Sequence, residues 1–154
     1  MSDAAIEQEI QAKGKTASRV TPTDIEANIV SEHYFTAGEG VIGAFASVVL
    51  KTSESNLTGA MLHREHLKPS LNLLTFCVLL LRNGFAVTGE SACASPENFD
   101  AEIGRKIARQ NAVQKIWPLM GYQLRSKLAD RMQCTCEGPN QGCSSCPPER
   151  ITSL

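Results

Sequence analysis

Long apolar segments and a strong net charge are both missing from this chain. No apolar run approaches the roughly 20 residues that a membrane-spanning helix needs. Residues 1–19 contain no apolar segment of the kind found in signal peptides, so nothing there directs secretion. The formal net charge of -1 excludes the basic excess that marks general nucleic-acid binding. We therefore expect a cytoplasmic protein that binds neither membranes nor DNA or RNA duplexes.

Familiar catalytic motifs are missing as well. The sequence has no G-x-S-x-G nucleophile elbow, no H-E-x-x-H zinc motif, no Walker phosphate loop and no dinucleotide-binding glycine fingerprint. His33 is typical of a surface histidine, and the sequence around His63 and His66 does not supply the further ligands that a metal needs. Residues distant in sequence can still meet in a fold, but no positive signal supports an enzyme. We predict a protein that is not an enzyme and requires no cofactor.

The six cysteines fall into two groups. Cys77 and Cys93 lie among apolar or small residues and are typical of small buried side chains. Disulfides are not expected in a chain without a secretion signal. The tail could instead close a structural zinc site with four thiolates, or it could be disordered with exposed thiols. The four candidate ligands are Cys134, Cys136, Cys143 and Cys146.

The most informative stretch covers residues 73–117. Apolar runs over 73–81 and 85–88 flank Asn83-Gly84, which predicts a β-hairpin with a two-residue type I′ turn. A helix over 70–82 is the alternative, since periodicity alone does not resolve a short apolar run. Ser95 and Pro96 then predict the start of a helix.

That helix is predicted to run from about residue 96 to about residue 115. Apolar residues at i, i+4 spacing predict its inner face. Trp117-Pro118 predicts its end, because the residue before a proline is disfavoured in the α region. A second helix is expected over 118–131. The predicted inward residues are Phe99, Ile103, Ile107 and Val113 or Ile116 in the first helix, and Leu119, Tyr122 and Leu128 in the second.

The remaining segments complete the predicted organisation. The start signals around Thr21 and Pro22 predict a short helix over 21–33, and the β-branched residues of 41–50 predict a strand. We expect a flexible leader over 1–19, with a short helix over 6–12 as the alternative, a single α+β domain over 20–132 and a Cys-rich tail over 133–154. The predicted fold class is α+β, an antiparallel β-sheet with a β-hairpin followed by C-terminal helices packed on it.

Residues 85–109 combine features of a ligand-binding site. The small residues of 89–94 would let a flat ligand approach the backbone closely. Ser91, Ser95 and Asn98 offer hydrogen-bonding groups beside the free N–H groups of a helix start, which favour anions. Phe85, at the hairpin turn, could stack on a base.

Arg105 and Arg109 lie one helical turn apart and present paired guanidinium groups that suit a phosphate or a base. At about 1.5 Å per residue, Arg105 lies roughly 13 Å from the predicted helix start. The two features would therefore contact opposite ends of one ligand, two separate ligands, or a pocket shared between subunits. The alternative is a solvated charged face that pairs with Glu102 and its neighbours.

Three segments resemble a family of small phage and prophage proteins: SEHYFTA, NGFAVTGESACASPENFDAEIGRKIARQNA and WPLMGYQL. The resemblance covers roughly residues 20–130. That family includes, or lies close to, Thoeris anti-defence protein one, a phage sponge for cyclic nucleotide immune signals. The resemblance implies an antiparallel sheet with helices packed after it, and a homo-oligomer built from dimers, a hexamer in the sponge. Such an assembly would bury Tyr34 and Phe35 or the hairpin face at an interface.

The implied ligands are the glycocyclic ADP-ribose signals of Thoeris and the cyclic oligonucleotide signals of CBASS. The sponge holds them without cleavage, in the cytoplasm of the infected bacterial host. The ligand-binding residues carried over from the matching motif are Phe85, Thr88, Glu90, Ser91, Asn98, Arg105 and Arg109. Two alternatives stay open. One is a nucleotide-acting phosphodiesterase whose metal is held by His63, His66 or the tail cysteines, and the other is an inhibitor module that binds a host factor.

Overall fold

The computed structural model describes residues 3–15, 17–52 and 68–133 and has the predicted α+β class. Its sheet contains three antiparallel strands in the order β1-β2-β3. Residues 22–117 form one compact unit, and the described residues on either side of that range belong to another. In chain order, the elements are α1 (Asp3–Ala12), α2 (Pro22–Asn28), β1 (Ile29–Thr36), α3 (Ala37–Thr52), a 3-10 turn (Pro69–Leu73), β2 (Leu74–Leu81), β3 (Ala86–Ala92), a second 3-10 turn (Pro96–Asn98) and α4 (Ala101–Gln133).

The predicted hairpin is confirmed, with β2 as the central strand of the sheet. Its turn differs from the two-residue prediction. The Leu81 N–H donates to the Phe85 carbonyl and the Gly84 N–H donates to the Leu81 carbonyl, each at 2.9 Å, so three residues form the loop. Gly84 supplies the positive φ, 82°, that such a loop needs at its last position. The Asn83 side chain accepts from the Phe85 N–H at 3.0 Å and fixes the turn further.

The helix predicted over 21–33 ends at Asn28, and residues 29–36 form β1 instead. Ile25 is buried as expected. β1 pairs with β2 in an antiparallel ladder of backbone hydrogen bonds that has one register shift, between Ile29 and Ser31. A helical extension by one turn would have left that edge of the apolar β2 strand unpaired.

The strand predicted over 41–50 is wrong, because these residues lie within α3. Thr36 and Glu39 form a capping box at its start. The Glu39 N–H donates to Thr36 Oγ1 at 3.2 Å, and the Thr36 N–H donates to Glu39 Oε2 at 2.7 Å. The β-branched residues favoured a strand, but the capping box begins a helix at Ala37, four residues earlier, and the helix then continues through them.

The helix predicted from residue 96 also begins elsewhere. Ser95 makes no side-chain cap, and the residues after it form only a 3-10 turn. Asp100 is the cap of α4: its Oδ1 accepts from the N–H groups of Glu102 at 2.8 Å and Ile103 at 2.9 Å. The predicted break at residue 117 is wrong, since α4 continues through Pro118. A proline inside a helix removes one backbone hydrogen bond and costs roughly 3 kcal/mol. A helix of 33 residues tolerates this loss.

Small residues form the face of α4 that packs on the sheet. The buried stripe is Gly104, Ala108, Ala112 and Ile116, spaced four residues apart. The prediction that Ile103 and Ile107 lie inside is wrong, since these side chains are 56% and 43% exposed. Phe99 and Val113 are half-buried, and the expectation for Ile116 is confirmed.

The helix lies so close to the sheet that only glycine fits beneath it. A Cβ added to Gly89 of β3 would overlap the Ala108 carbonyl oxygen and the Ala112 nitrogen. The sheet side of this interface consists of Cys77, Leu79, Leu81 and Val87, all buried. The small residues of 89–94 were expected to let a ligand approach the backbone. At Gly89, the backbone of α4 occupies that space instead.

The second unit contains α1 and the C-terminal part of α4. α1 occupies most of the predicted leader, so the structure has the alternative helix there rather than an irregular chain. An ion pair between Arg19 and Glu7 links the residues that follow α1 to this helix. Leu119 and Tyr122, predicted to lie inside, are 44% and 78% exposed. No helix in the described part of the chain is long and apolar enough to span a membrane.

Candidate functional site

The predicted ligand-binding residues do not converge on one surface of the chain. α4 turns by about 100° per residue. Arg105 and Arg109 therefore lie on one flank of its buried stripe, and Ile103 and Ile107 lie on the other flank. Ser91 and Asn98 lie with the isoleucines. Thr88 and Glu90 pair across from Val78 and Phe76 on the sheet face away from α4. Phe85 follows the hairpin turn and is 55% exposed.

A cleft of about 120 Å³ lies where the end of β3 meets the start of α4. We call it the Thr75 cleft. Ser91 and Asn98 line it, as does the half-buried Cys93, whose thiol donates to the Ser95 carbonyl at 3.1 Å. Its other lining residues are Leu73, Thr75, Ala92, Phe99, Asp100, Ile103, Gly104 and Ile107. Two of the seven predicted ligand residues thus share one cavity.

Thr75 gives this cleft an unsatisfied polar group. The residue is 4% exposed, and its Oγ1 has no hydrogen-bond partner among the residues that the structure describes. Gly104 lies directly over it, since a Cβ added there would be 3.1 Å from Thr75 Oγ1. A buried hydroxyl without a partner costs free energy. A threonine inside an apolar strand gave no sequence signal for this site, because threonine is common in strands.

On the opposite flank, Arg109 is bound to two carboxylates. Its Nη1 and Nη2 donate to the two oxygens of Glu26 at 3.2 and 2.7 Å, and its Nε donates to Glu32 Oε1 at 2.9 Å. These bonds raise the pKa of the Arg109 guanidinium. They also hold the pKa of Glu32 below its ordinary value, and Tyr34 strengthens the effect by donating its hydroxyl to Glu32 Oε2 at 2.6 Å. A phosphate at Arg109 would have to compete with both carboxylates.

Arg105 is the available cation of this flank. It is exposed and forms no hydrogen bond or ion pair with the described residues. The neighbouring Glu102 pairs with Lys106 at 2.7 Å, not with either arginine. The solvated-face alternative therefore does not hold for Arg109, which is tied across the fold to α2 and β1.

The sheet face away from α4 carries an apolar row along the central strand. Phe76 of β2 stacks on Phe35 of β1 with ring centroids 5.5 Å apart, and Gly40 of α3 lies against the Phe35 ring. Phe35 and Leu80 are each 37% exposed. Tyr34 faces α4 instead, bonded to Glu32, so the two aromatic residues predicted to share an interface lie on opposite faces of β1.

β3 forms one edge of the sheet, and α4 protects part of it. The Asn111 side chain donates to the Glu90 carbonyl at 2.8 Å, and Lys115 lies 3.7 Å from the Glu90 carboxylate. Glu90 therefore has a structural role at the β3 edge of the sheet. Its carbonyl oxygen is already hydrogen-bonded and cannot pair with a further strand.

The metal predictions concern other segments. Within the described residues, no group of three or more His, Cys, Asp or Glu side chains could hold a metal ion. His63 and His66 lie outside the described residues, as do Cys134, Cys136, Cys143 and Cys146. The zinc site in the tail stays a prediction.

Comparison with known proteins identifies the family. Residues 20–128 match the phage protein (N4 Gp49/phage Sf6 gene 66) family, a range that contains α2, the whole sheet, both 3-10 turns and most of α4. No curated protein and no solved structure matched the chain. Since the matched residues make up well over half of the sequence, this chain belongs to the N4 Gp49/phage Sf6 gene 66 family of phage proteins.

Proposed function

We propose that this phage-family protein binds cyclic nucleotide immune signals and holds them without cleavage. The ligands would be the glycocyclic ADP-ribose of Thoeris and the cyclic oligonucleotides of CBASS. The observation that carries the proposal is the presence of two chemically different surfaces on α4. The Thr75 cleft has mostly apolar walls with neutral polar groups and one carboxylate, whereas Arg105 offers a guanidinium that pairs with none of the described residues. A nucleotide has the matching parts, a neutral base and an anionic phosphate.

The same geometry favours an assembly. Because the cleft and Arg105 lie on opposite flanks of α4, two copies of the chain could present the cleft of one and the Arg105 of the other to a single ligand. Phe35 and Leu80, on the exposed apolar row, suit burial between copies. We therefore propose a homo-oligomer built from dimers, with a hexamer as the expected form. Measurement of the mass in solution by light scattering tests this part, and a monomer at micromolar concentration would contradict it.

The function is tested by calorimetric titration of glycocyclic ADP-ribose and of a cyclic trinucleotide into the purified full chain. The complex is then heated, and the released ligand is analysed by chromatography. Tight binding with intact release is expected. Absence of heat with both ligands would refute the proposal. Recovery of a converted ligand would indicate a phosphodiesterase, and selective capture of one host protein without nucleotide binding would indicate an inhibitor module.

Arg105→Ala sharpens the test. A charge-assisted hydrogen bond contributes about 1.5–3 kcal/mol, so the variant should bind at least about tenfold more weakly. Arg109→Ala should also weaken binding, but it removes two ion pairs of the fold and is therefore less informative. Arg125→Ala, an exposed arginine further along α4, is the matched control and should bind as the parent does. Equal affinity of the Arg105 and Arg125 variants would remove Arg105 from the site.

A further inference from the structure

The dimensions of the Thr75 cleft limit what it can hold. Binding pockets for whole small molecules usually measure about 300–1,000 Å³, and this cleft measures about 120 Å³. A cavity of roughly 150 Å³ is known to hold one benzene molecule. The cleft is therefore close in size to a single six-membered ring at most and is too small for an entire cyclic nucleotide.

The walls of the cleft exclude an anion. None of the described residues that line it is a lysine, arginine or histidine. Its carboxylate, Asp100, would repel a phosphate, and the Oδ1 of that carboxylate is already bonded to two N–H groups of α4. Leu73, Phe99 and Ile103 provide apolar contact instead. These surroundings favour a neutral ring whose faces are apolar and whose edge forms hydrogen bonds.

The Thr75 hydroxyl is the group that such an edge would satisfy. Thr75 lines the cleft, and its hydroxyl is buried and has no partner among the described residues. A hydroxyl both donates and accepts, so it can bond to a ring nitrogen, a carbonyl or an amino group. Ser91 and Asn98 add further hydrogen-bonding groups to the lining.

We infer that the Thr75 cleft is a subsite for one nucleobase, a pyrimidine or the six-membered ring of a purine, and that Thr75 Oγ1 reads its edge. The inference rests on the proposed function, because it assigns the base of the bound signal to this cleft. The phosphates then lie outside the cleft. Thr75 contributes to the selection of the base, while Arg105 contributes a contact that is common to all nucleotides.

Thr75→Val separates these roles, because valine retains the shape of threonine without its hydroxyl. The variant should melt about 3–6 °C higher than the parent in the absence of ligand, since it removes an unsatisfied buried group. It should bind glycocyclic ADP-ribose and the cyclic trinucleotide about threefold to tenfold more weakly, because one hydrogen bond is lost. Thr23→Val, at an exposed position of α2, is the matched control and should change neither value.

A second measurement uses the parent protein. Adenosine and cytidine, which carry a base without a phosphate, are added to protein with isotopically labelled threonine methyl groups. The Thr75 methyl signal should shift on addition of either nucleoside, and the Thr23 signal should not. Ribose 5-phosphate, which carries a phosphate without a base, should leave the Thr75 signal unchanged.

The outcomes distinguish the two proposals. Cyclic nucleotide binding that is equally strong in Thr75→Val, with no shift of the Thr75 methyl, would overturn the cleft assignment and leave the proposed function in place. Nucleosides that shift Thr75 while neither cyclic nucleotide binds would support the cleft and refute the proposed function. If no nucleoside and no cyclic nucleotide binds, both are wrong.

Discussion

Gly89→Ala should destabilise this protein far more than one methyl group ordinarily does. The added Cβ would overlap the Ala108 carbonyl oxygen and the Ala112 nitrogen and would lie 2.9 Å from the Ala112 Cα, against an ordinary contact of 3.4–4 Å. The atoms in the way belong to the backbone of α4, so no side chain can rotate to relieve the overlap. The helix would have to move off the sheet by at least half an ångström along this turn.

Two opposing effects set the magnitude. Replacing glycine restricts the unfolded chain and stabilises by about 0.4–1 kcal/mol where the native conformation permits it. Overpacking a well-packed core costs typically about 1–3 kcal/mol, and displacement of a helix backbone belongs at the upper end of that range. We therefore expect a net loss of about 2–3 kcal/mol, which corresponds to a fall in Tm of roughly 5–12 °C.

Urea unfolding followed by circular dichroism measures this change. Gly121→Ala is the matched control, because a Cβ at this α4 position meets nothing within 4 Å. The control should gain up to about 1 kcal/mol, since alanine favours a helix more than glycine does. If Gly89→Ala is as stable as the parent, α4 does not lie directly on β3 and the assignment of its buried stripe is wrong.

Two further predictions concern the ends and edges of the sheet. Thr36→Val should cost about 1 kcal/mol in urea unfolding by removing the cap of α3, and Thr23→Val, which caps no helix in the structure, should not. The lowered pKa of Glu32 stabilises the fold above the pKa of an unfolded glutamate, and this contribution is lost as the pH falls through the lower folded value. Glu32→Gln should therefore be less stable than the parent at pH 7, with the difference shrinking towards pH 3; a difference that grows on acidification would contradict the ion pair with Arg109.

The sequence predicted best those features that are encoded locally. Asn83-Gly84 between two apolar runs was sufficient to place the hairpin, because few residues other than glycine tolerate the positive φ of Gly84. The capping box of Thr36 and Glu39 was equally local and would have revealed α3. The β-branched residues that follow it favour a strand, but this propensity is the weaker signal.

The hydrophobicity of its residues did not predict which face of α4 is buried. Ile103 and Ile107 are far more apolar than Gly104 and Ala108, so they predicted the buried face. The small residues are buried instead because α4 packs backbone to backbone against Gly89, a contact between segments that no local pattern shows. The same error explains why the predicted site residues do not all lie together. Ser91 and Asn98 share a cleft, but Arg105 and Arg109 lie on the opposite side of the buried stripe of α4.

The position of α4 between the Thr75 cleft and Arg105 has a consequence for competition experiments. A nucleobase seated in the cleft and an anion held at Arg105 of the same chain lie on opposite flanks of α4, so we expect them not to overlap. Nucleosides should then fail to displace an anion from Arg105, however high their concentration. A cyclic nucleotide contains both a base and a phosphate. A nucleoside alone or an anion alone should therefore weaken its binding only by the contribution of the one contact that the probe replaces.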